Sequence, residues 1–410
     1  MQQRAAPFRI GVHLLAAAAL LLLTACGTFP RSDAVPAGQA EQATIPGMTG
    51  IRFFADGDPA AFTAGASASL EREKAYLAST GQTGPLPPVN FLAISGGGEN
   101  GAFGAGLIVG WTKAGTRPVF KAVTGISTGA LIAPFAFLGP AYDDRLQAVY
   151  TTITGKDVLE SRGIWGVFQD AMADNAPLRK TVAKYFDQSV LDAIAVESKK
   201  GRLLLIGTTD LDARRPVIWD IGRIAESNEP GRLKLVQDIL VASAAIPGAF
   251  PPTMIDVELD GKRYQEMHVD GGASTQVFVY PPGLNLSKLG GKRERHLYVI
   301  RNARLDPDWA QVDRSTMTIA GRAISSLIQT QGIGDLYRIY LTTQRDGIDF
   351  NLAYIPKDFT QELKEPFETA YMVALFKVGY DMSAKGFPWV KAPPGFDAPP
   401  GDPIQPPLQN

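Results

Sequence analysis

The chain has 410 residues, a length that allows one large domain with extensions or two modest domains. Its net charge of -1, without a cluster of Lys and Arg, argues against a nucleic-acid partner. One Cys excludes an intrachain disulfide, and three His leave no ligand cluster for a metal. We therefore expect neither a metal nor another cofactor.

The first 25 residues resemble a secretory signal. Two arginines and no acid precede an apolar run from Leu14 to Leu23, which is shorter than the roughly 20 residues of a membrane span. The run ends in Leu23-Thr24-Ala25-Cys26-Gly27, which resembles the lipobox of bacterial lipoproteins. That resemblance implies a signal peptide over residues 1–25 and a lipidated Cys26 that anchors the protein in the cell envelope. Gly27 after the Cys implies the outer membrane, and a plain signal with an incidental Cys is the alternative.

Both flanks of the chain have the composition of linkers. Residues 26–88 are rich in Pro, Gly, Ala and Ser and predict a tether with an irregular or helical lead-in, helical over 67–79. Residues 393–410 are Pro-rich and predict a loose tail.

A glycine-rich loop begins the predicted folded part. Val89 to Ile94 predicts a buried strand, Ser95 to Gly101 a turn, and Ala102 to Trp111 a helix. Free amides at a helix N-terminus favour an anion. The spacing of Gly96, Gly98 and Gly101 also fits a dinucleotide loop, but the next strand, predicted at 119–123, has no acid after it to hold a ribose. A phosphate-binding P-loop would need a Gly-Lys-Ser/Thr, which does not follow.

Gly125-Ile126-Ser127-Thr128-Gly129 fits the nucleophile motif G-x-S-x-G. It lies between the predicted strand and a predicted helix over Ala130 to Leu138, where a sharp turn would expose Ser127. The alternative is a Ser that only caps the helix. The glycine-rich loop upstream favours the catalytic interpretation, because a serine hydrolase needs amide donors for its oxyanion.

A nucleophilic Ser needs a base, and the residues leave two candidates open. Asp270 precedes Gly271 and Gly272 without a hairpin pattern, unlike Asp260-Gly261, which predicts a hairpin turn. Burial would raise the pKa of such an Asp toward useful basicity. In a triad, His296 would be the base, although its sequence context predicts the start of a strand. Its carboxylate partner would be Asp210, Asp212 or Asp270.

These motifs, in this order, resemble the patatin-like phospholipase family. The four that carry the resemblance are Gly96-Gly97-Gly98 with Gly101, Gly125-x-Ser127-x-Gly129, the segment from Ala242 to Pro251, and Asp270-Gly271-Gly272. The resemblance spans about Val89 to Ala303. It implies an α/β three-layer fold with a central, mostly parallel sheet flanked by helices, and lipid acyl hydrolase activity through a Ser127–Asp270 dyad. It also implies an oxyanion hole formed by the amides of Gly96, Gly97 and Gly98.

One departure from the family pattern concerns substrate. The family usually has Arg or Lys where this chain has Asn100. A catalytically silent lipid-binding lipoprotein is therefore one alternative to a hydrolase, and an esterase or thioesterase with a His296 triad is another. The expected partner is membrane lipid.

The predicted catalytic core covers residues 89–305, and residues 306–392 form a C-terminal helical part of the same domain. Helices are expected over 314–331 and 370–382. The apolar stripe of the first contains Ile319, Ile324, Leu327 and Ile328. It predicts packing against the sheet, with a lid near the lipid entrance as the alternative.

Overall fold

The structure, a computed structural model, describes residues 29–163, 169–289 and 291–396. The strands are β1 (Arg52–Phe54), β2 (Val89–Ile94), β3 (Ala122–Ile126), β4 (Glu160–Ser161), β5 (Ala173–Asp174), β6 (Leu203–Asp210), β7 (Arg215–Asp220), β8 (Thr253–Leu259), β9 (Lys262–Asp270), β10 (Arg295–Arg301) and β11 (Asp349–Tyr354). The α-helices are α1 (Pro59–Ser79), α2 (Gly101–Lys113), α3 (Thr128–Leu138), α4 (Asp143–Thr151), α5 (Ala176–Tyr185), α6 (Gln188–Lys199), α7 (Ile221–Glu226), α8 (Arg232–Ser243), α9 (Thr316–Asp346) and α10 (Thr369–Ser383).

A mixed sheet with a parallel centre organises the fold, as predicted. Its strand order is β1-β7-β6-β3-β2-β10-β11, and the five strands from β6 to β11 in this order run parallel. The antiparallel strands β7 and β1 extend one side, and the β8–β9 hairpin joins the end of β6. The carboxyl ends of the parallel strands therefore share one edge, which is where sites form in such sheets.

Helices cover both faces of the sheet. Alternate residues of β2 point to opposite faces: Leu92 and Ile94 pack with α2 and α3 in the main core, whereas Ala93 packs beneath α9 in a second core. Helix α1 covers a third apolar cluster beside β6 and β7. The result is the three-layer α/β fold that the sequence predicts.

Most element predictions near the site are confirmed, but one strand is displaced. Strand β2, the hairpin turn at Asp260-Gly261 and helix α10 lie where predicted. The third strand begins at Ala122 rather than at Val119, because Val119 follows a Pro and is 74% exposed. Its apolar run continues instead through Thr124 and Gly125 into Ile126.

The lead-in predicted between the tether and the core is more extensive than expected, and the helix predicted over 67–79 lies within α1 (Pro59–Ser79). Residues 43–54 pack onto the fold: Ile45, Met48 and Ile51 are buried in the main core, and β1 pairs with β7. The few apolar residues among the Pro and Gly are spaced so that each reaches the core. The proposed signal peptide and Cys26 lie outside the described residues, as does the tail from residue 397.

The C-terminal part differs from its prediction in two ways. It supplies β11, a parallel strand beside β10, and α9 continues to Asp346, beyond the predicted end at 331. The packing predicted for its stripe is also wrong, since Ile319, Ile324, Leu327 and Ile328 are all exposed. Within the part of the chain that the structure describes, no helix is long and apolar enough to cross a bilayer.

Candidate active site

Ser127 lies on a sharp turn between β3 and α3. Its backbone φ of 57° and ψ of -127° are strained for a residue with a Cβ, at a cost of roughly 1–3 kcal/mol. The turn directs the side chain to the carboxyl edge of the sheet at the N-terminus of α3. That helix end favours negative charge, because the first amides have no partner within the helix.

Glycines make this turn sterically possible. A Cβ on Gly125 would collide with the backbone of Gly129, and a Cβ on Gly129 would collide with the carbonyls of Ile94 and Ser95. The strand, the turn and the neighbouring β2 therefore approach more closely than any side chain allows. The G-x-S-x-G pattern is explained by packing as well as by chemistry.

The sheet register brings Asp270 to Ser127. Ile126, the last residue of β3, pairs with Gly207 of β6, and Asp270, the last residue of β9, pairs with Thr208. Strand β9 thus continues along β6 where β3 ends, and the two strands meet end to end. At this junction the Ser127 side chain lies close enough to the Asp270 carboxylate to lower its pKa.

Among the described residues, no cation pairs with the Asp270 carboxylate. Burial raises its pKa to about 7, and only the Ser127 side chain and the hydrogen bond from the Gly272 amide oppose that rise. The Gly272 amide donates to Oδ1 at 2.7 Å. A carboxyl with this pKa exchanges a proton near neutral pH, as a general base must.

The segment between α8 and β8 holds both residues in place. The Ser243 hydroxyl accepts from the Ser127 amide at 3.0 Å and donates to the Gly207 carbonyl at 2.7 Å. The Ala245 carbonyl accepts from the Asp270 amide at 2.9 Å. The sequence marks this segment only through the family resemblance. No local pattern distinguishes Ser243 from other buried serines.

The structure corrects one predicted oxyanion donor. The Gly96 amide donates to the Gln276 carbonyl at 3.1 Å, so its hydrogen is already engaged. Among the described residues, the amides of Gly97 and Gly98 have no such acceptor. Gly97 also lies against Asn302, where a Cβ would collide with the backbone, whereas the space beside Gly98 is open. These two amides remain available at the cavity.

Two polar residues follow the glycines. The Asn100 side-chain carbonyl accepts from the Tyr371 hydroxyl at 2.7 Å, so the residue that departs from the family pattern ties the loop to α10. Burial raises the pKa of Glu99, whose carboxyl contributes to the cavity wall near Ser127. Glu99 therefore places an acid at the cavity, next to position 100, where the family usually has Arg or Lys.

An apolar cavity leads inward from Ser127. Its volume is about 820 Å³ including the open mouth. Gly98, Ser127 and Thr128 line one end. The remaining wall is largely aliphatic and aromatic and includes Leu131, Phe135, Val149, Leu178, Val182 and Leu240. Such a wall suits a hydrocarbon chain and offers few partners to a polar one.

Neither described histidine serves Ser127. His296 begins β10 at the amino edge of the sheet, with Nδ1 2.9 Å from an Asp349 oxygen, so the predicted His296 triad is wrong. His268 is buried, and its two ring nitrogens contact Thr208 and Glu266.

The proposed carboxylate partners of His296 lie elsewhere too. Asp212 binds Arg31, and Asp210 accepts from backbone amides of the turn after β6. Among the described residues, no group of three or more His, Cys, Asp or Glu is arranged to hold a metal.

The central part of the chain is similar to one known family. The family model for patatin-like phospholipase matches residues 92–281, which include every motif residue from Gly96 to Gly272. No curated protein matches the chain.

Solved structures give weaker likenesses. VipD from Legionella pneumophila is 11% identical over 72% of this chain and 66% of its own, with a TM-score of 0.34. Human GIVD cytosolic phospholipase A2 is 12% identical over 78% and 55%, with a TM-score of 0.32. The type III effector protein ExoU is 13% identical over 73% and 53%, with a TM-score of 0.26. This chain therefore spans less than two thirds of each, and nothing about its activity follows from scores this low.

Proposed function

We propose that this protein hydrolyses fatty-acyl esters of phospholipids or lysophospholipids through a Ser127–Asp270 dyad; the match of residues 92–281 to the family model for patatin-like phospholipase supports the proposal. One observation carries the proposal: a strained, buried Ser127 meets an unpaired buried carboxylate at the mouth of an apolar cavity. A structural ion pair would have a cation beside Asp270.

Catalysis begins with proton transfer from the Ser127 hydroxyl to Asp270. The serine oxygen attacks the ester carbonyl, and the oxyanion accepts hydrogen bonds from the amides of Gly97 and Gly98. The N-terminus of α3 adds its dipole. The ester bond then breaks, and the leaving alcohol takes the proton from Asp270.

Water completes the cycle. Asp270 accepts a proton from a water molecule that attacks the acyl-serine, and the second tetrahedral intermediate collapses to a free fatty acid. The Ser127 oxygen recovers its proton from Asp270. The acyl chain occupies the apolar cavity in both steps, while the head group lies at the entrance near Glu99 until it departs with the leaving alcohol.

Location forms a second part of the proposal. A lipidated Cys26 would hold the enzyme at the outer membrane, beside its substrate, without a membrane span. Its support is the lipobox resemblance at residues 23–27. Labelling of cells with a fatty-acid probe should mark the wild type and leave a Cys26→Ser variant unmarked. A wild type that takes up no fatty acid would exclude this anchor.

The test of the chemistry is labelling with a fluorophosphonate probe. We expect the wild type to label and Ser127→Ala to remain unlabelled, because only an activated serine reacts quickly with the probe. Released fatty acid is then measured with phospholipid and lysophospholipid vesicles. A folded wild type that neither labels nor releases fatty acid would indicate the silent lipid-binding alternative.

A further inference from the structure

The first half of α9 is a helical arm without a packing partner among the described residues. We define the arm as residues 316–330. From Ile319 to Thr330 no side chain is buried, and continuous burial begins only near Gly332. An isolated helix of this length is marginal in water, because packing normally stabilises helices more than propensity does.

The arm projects past the edge of the sheet that carries the site. Helix α9 has 31 residues and spans about 46 Å, whereas β11, with 6 residues, spans about 20 Å. Because α9 leads through a short turn into the amino end of β11, it runs antiparallel to the strands. Its first half therefore extends beyond the carboxyl edge, on the side of Ser127.

Hydrogen bonds connect the base of the arm to the glycine-rich loop. The Gln276 side-chain amide donates to the Gln331 side chain at 3.3 Å, and the Gln276 carbonyl accepts from the Gly96 amide. The Gln329 side chain donates to the Arg304 carbonyl at 2.9 Å. These bonds tie the base of the arm to the carboxyl edge of the sheet, next to the glycine-rich loop.

The exposed arm is amphipathic. Ile319, Ile324, Leu327 and Ile328 recur at helical spacing on one side, and Leu327 is 70% exposed. Arg322, Ser325 and Gln329 follow the opposite side, where Arg322 pairs with Asp308 at 3.3 Å. Just before the helix, Trp309 is 85% exposed. Trp is a residue that membrane interfaces favour.

We propose that the arm and Trp309 dock on the surface of a lipid bilayer and hold the cavity entrance against it. This inference rests on the proposed lipid hydrolase function and names the partner of that site. The apolar side lies in the interface, parallel to the membrane plane. Residues 305–330 contain three Asp and two Arg, so the attraction is apolar and not electrostatic.

The test measures binding of the chain from Phe29 onward to phosphatidylcholine vesicles by flotation. This chain contains every described element and its own core but lacks the proposed anchor. We expect binding that changes little with salt and shifts Trp309 emission to the blue. Replacing Ile324 and Leu327 together with Asp should weaken binding at least about tenfold.

A control adds negative charge to the polar side. Ser325→Asp should bind vesicles like the wild type, because Ser325 is exposed and lies on the side of the helix opposite the stripe. Hydrolysis of a short, water-soluble ester should be equal in all three proteins, since the arm is not part of the dyad. Vesicle hydrolysis should fall only in the Ile324, Leu327 variant.

Other outcomes separate the two proposals. Equal vesicle binding by wild type and the Ile324, Leu327 variant, with ester hydrolysis intact, would overturn the docking proposal alone. Arm-dependent binding without any ester hydrolysis would overturn the hydrolase and leave docking standing. A wild-type dimer that the apolar-side substitutions make monomeric, measured by light scattering, would assign the arm to a second copy and overturn bilayer docking.

Discussion

Glu266 and Asp270, two buried carboxylates of β9, have pKa values that are shifted in opposite directions. Burial raises the pKa of both Glu266 and Asp270, but hydrogen bonds from His268 and Arg52 bring the pKa of Glu266 down to about 2. In the part of the chain that the structure describes, only the neutral groups of Ser127 and Gly272 lower the pKa of Asp270, which stays at about 7. Glu266 therefore belongs to a buried ion pair, whereas Asp270 is buried at a cost in folding free energy. A shifted pKa of this kind is typical of functional sites.

The substitution that we expect to have the largest effect is Asp270→Asn, which removes the carboxylate with the raised pKa. We expect kcat/KM to fall by about 10²–10⁴, the usual contribution of a general base. The pKa of Asp270 in the folded state lies above the ordinary value near 4. Ionisation of this carboxyl therefore lowers the free energy of unfolding as pH rises from about 4 to 7, and the whole loss remains above pH 7. The variant should therefore gain stability at pH 8, on the order of a few kcal/mol.

Denaturant unfolding at pH 8 and pH 4 measures this effect. The advantage of the variant should shrink toward pH 4, where both proteins carry a neutral side chain. A variant that is less stable than wild type at pH 8 would contradict the assignment of an uncompensated carboxylate.

The opposite change is Glu266→Gln, which should reduce stability without removing the chemistry. Arg52 is buried beside Glu266, and Gln would leave this guanidinium without its counter-charge. We expect a loss of about 3 to 5 kcal/mol in unfolding free energy. Turnover per folded molecule should stay within a few-fold of wild type. A selective loss of turnover would show that Glu266 acts in the reaction.

The smallest expected effect is the pH dependence of kcat/KM. Since Asp270 must be unprotonated to accept a proton, kcat/KM should rise about tenfold per unit below pH 7 and level off above it. A histidine would give a similar limb near its reference pKa. His296→Ala, which alters the amino edge only, should therefore leave the profile unchanged. Loss of the limb in this variant would restore the triad interpretation.

The places of the two candidate residues at the ends of their strands were predictable because they depend on local patterns. Ser127 and Asp270 stand in glycine-rich turns whose steric demands restrict the sequence, so both can be recognised without a structure. Engagement of the Gly96 amide was not predictable, because its acceptor, the Gln276 carbonyl, approaches from a distant part of the chain. The same reason conceals Ser243, whose bond to Ser127 joins residues 116 apart.

Apolar patterns were the less reliable guide. The stripe on α9 has the spacing of a buried face, yet it extends past the sheet, and sequence spacing carries no information about where a sheet ends. Conversely, Ile45, Met48 and Ile51 are too sparse among Pro and Gly to predict burial, although each reaches the core. In both cases, the length of neighbouring elements decides the outcome.

The end-to-end meeting of β3 and β9 has a consequence for folding during synthesis. Ser127 emerges from the ribosome early, but Asp270 can join it only after β9 has docked on β6, a contact between distant parts of the chain. Under the proposed mechanism, a nascent or truncated chain that ends before β9 would carry the nucleophile without its base. Assembly order itself would then delay ester cleavage until the domain is nearly complete.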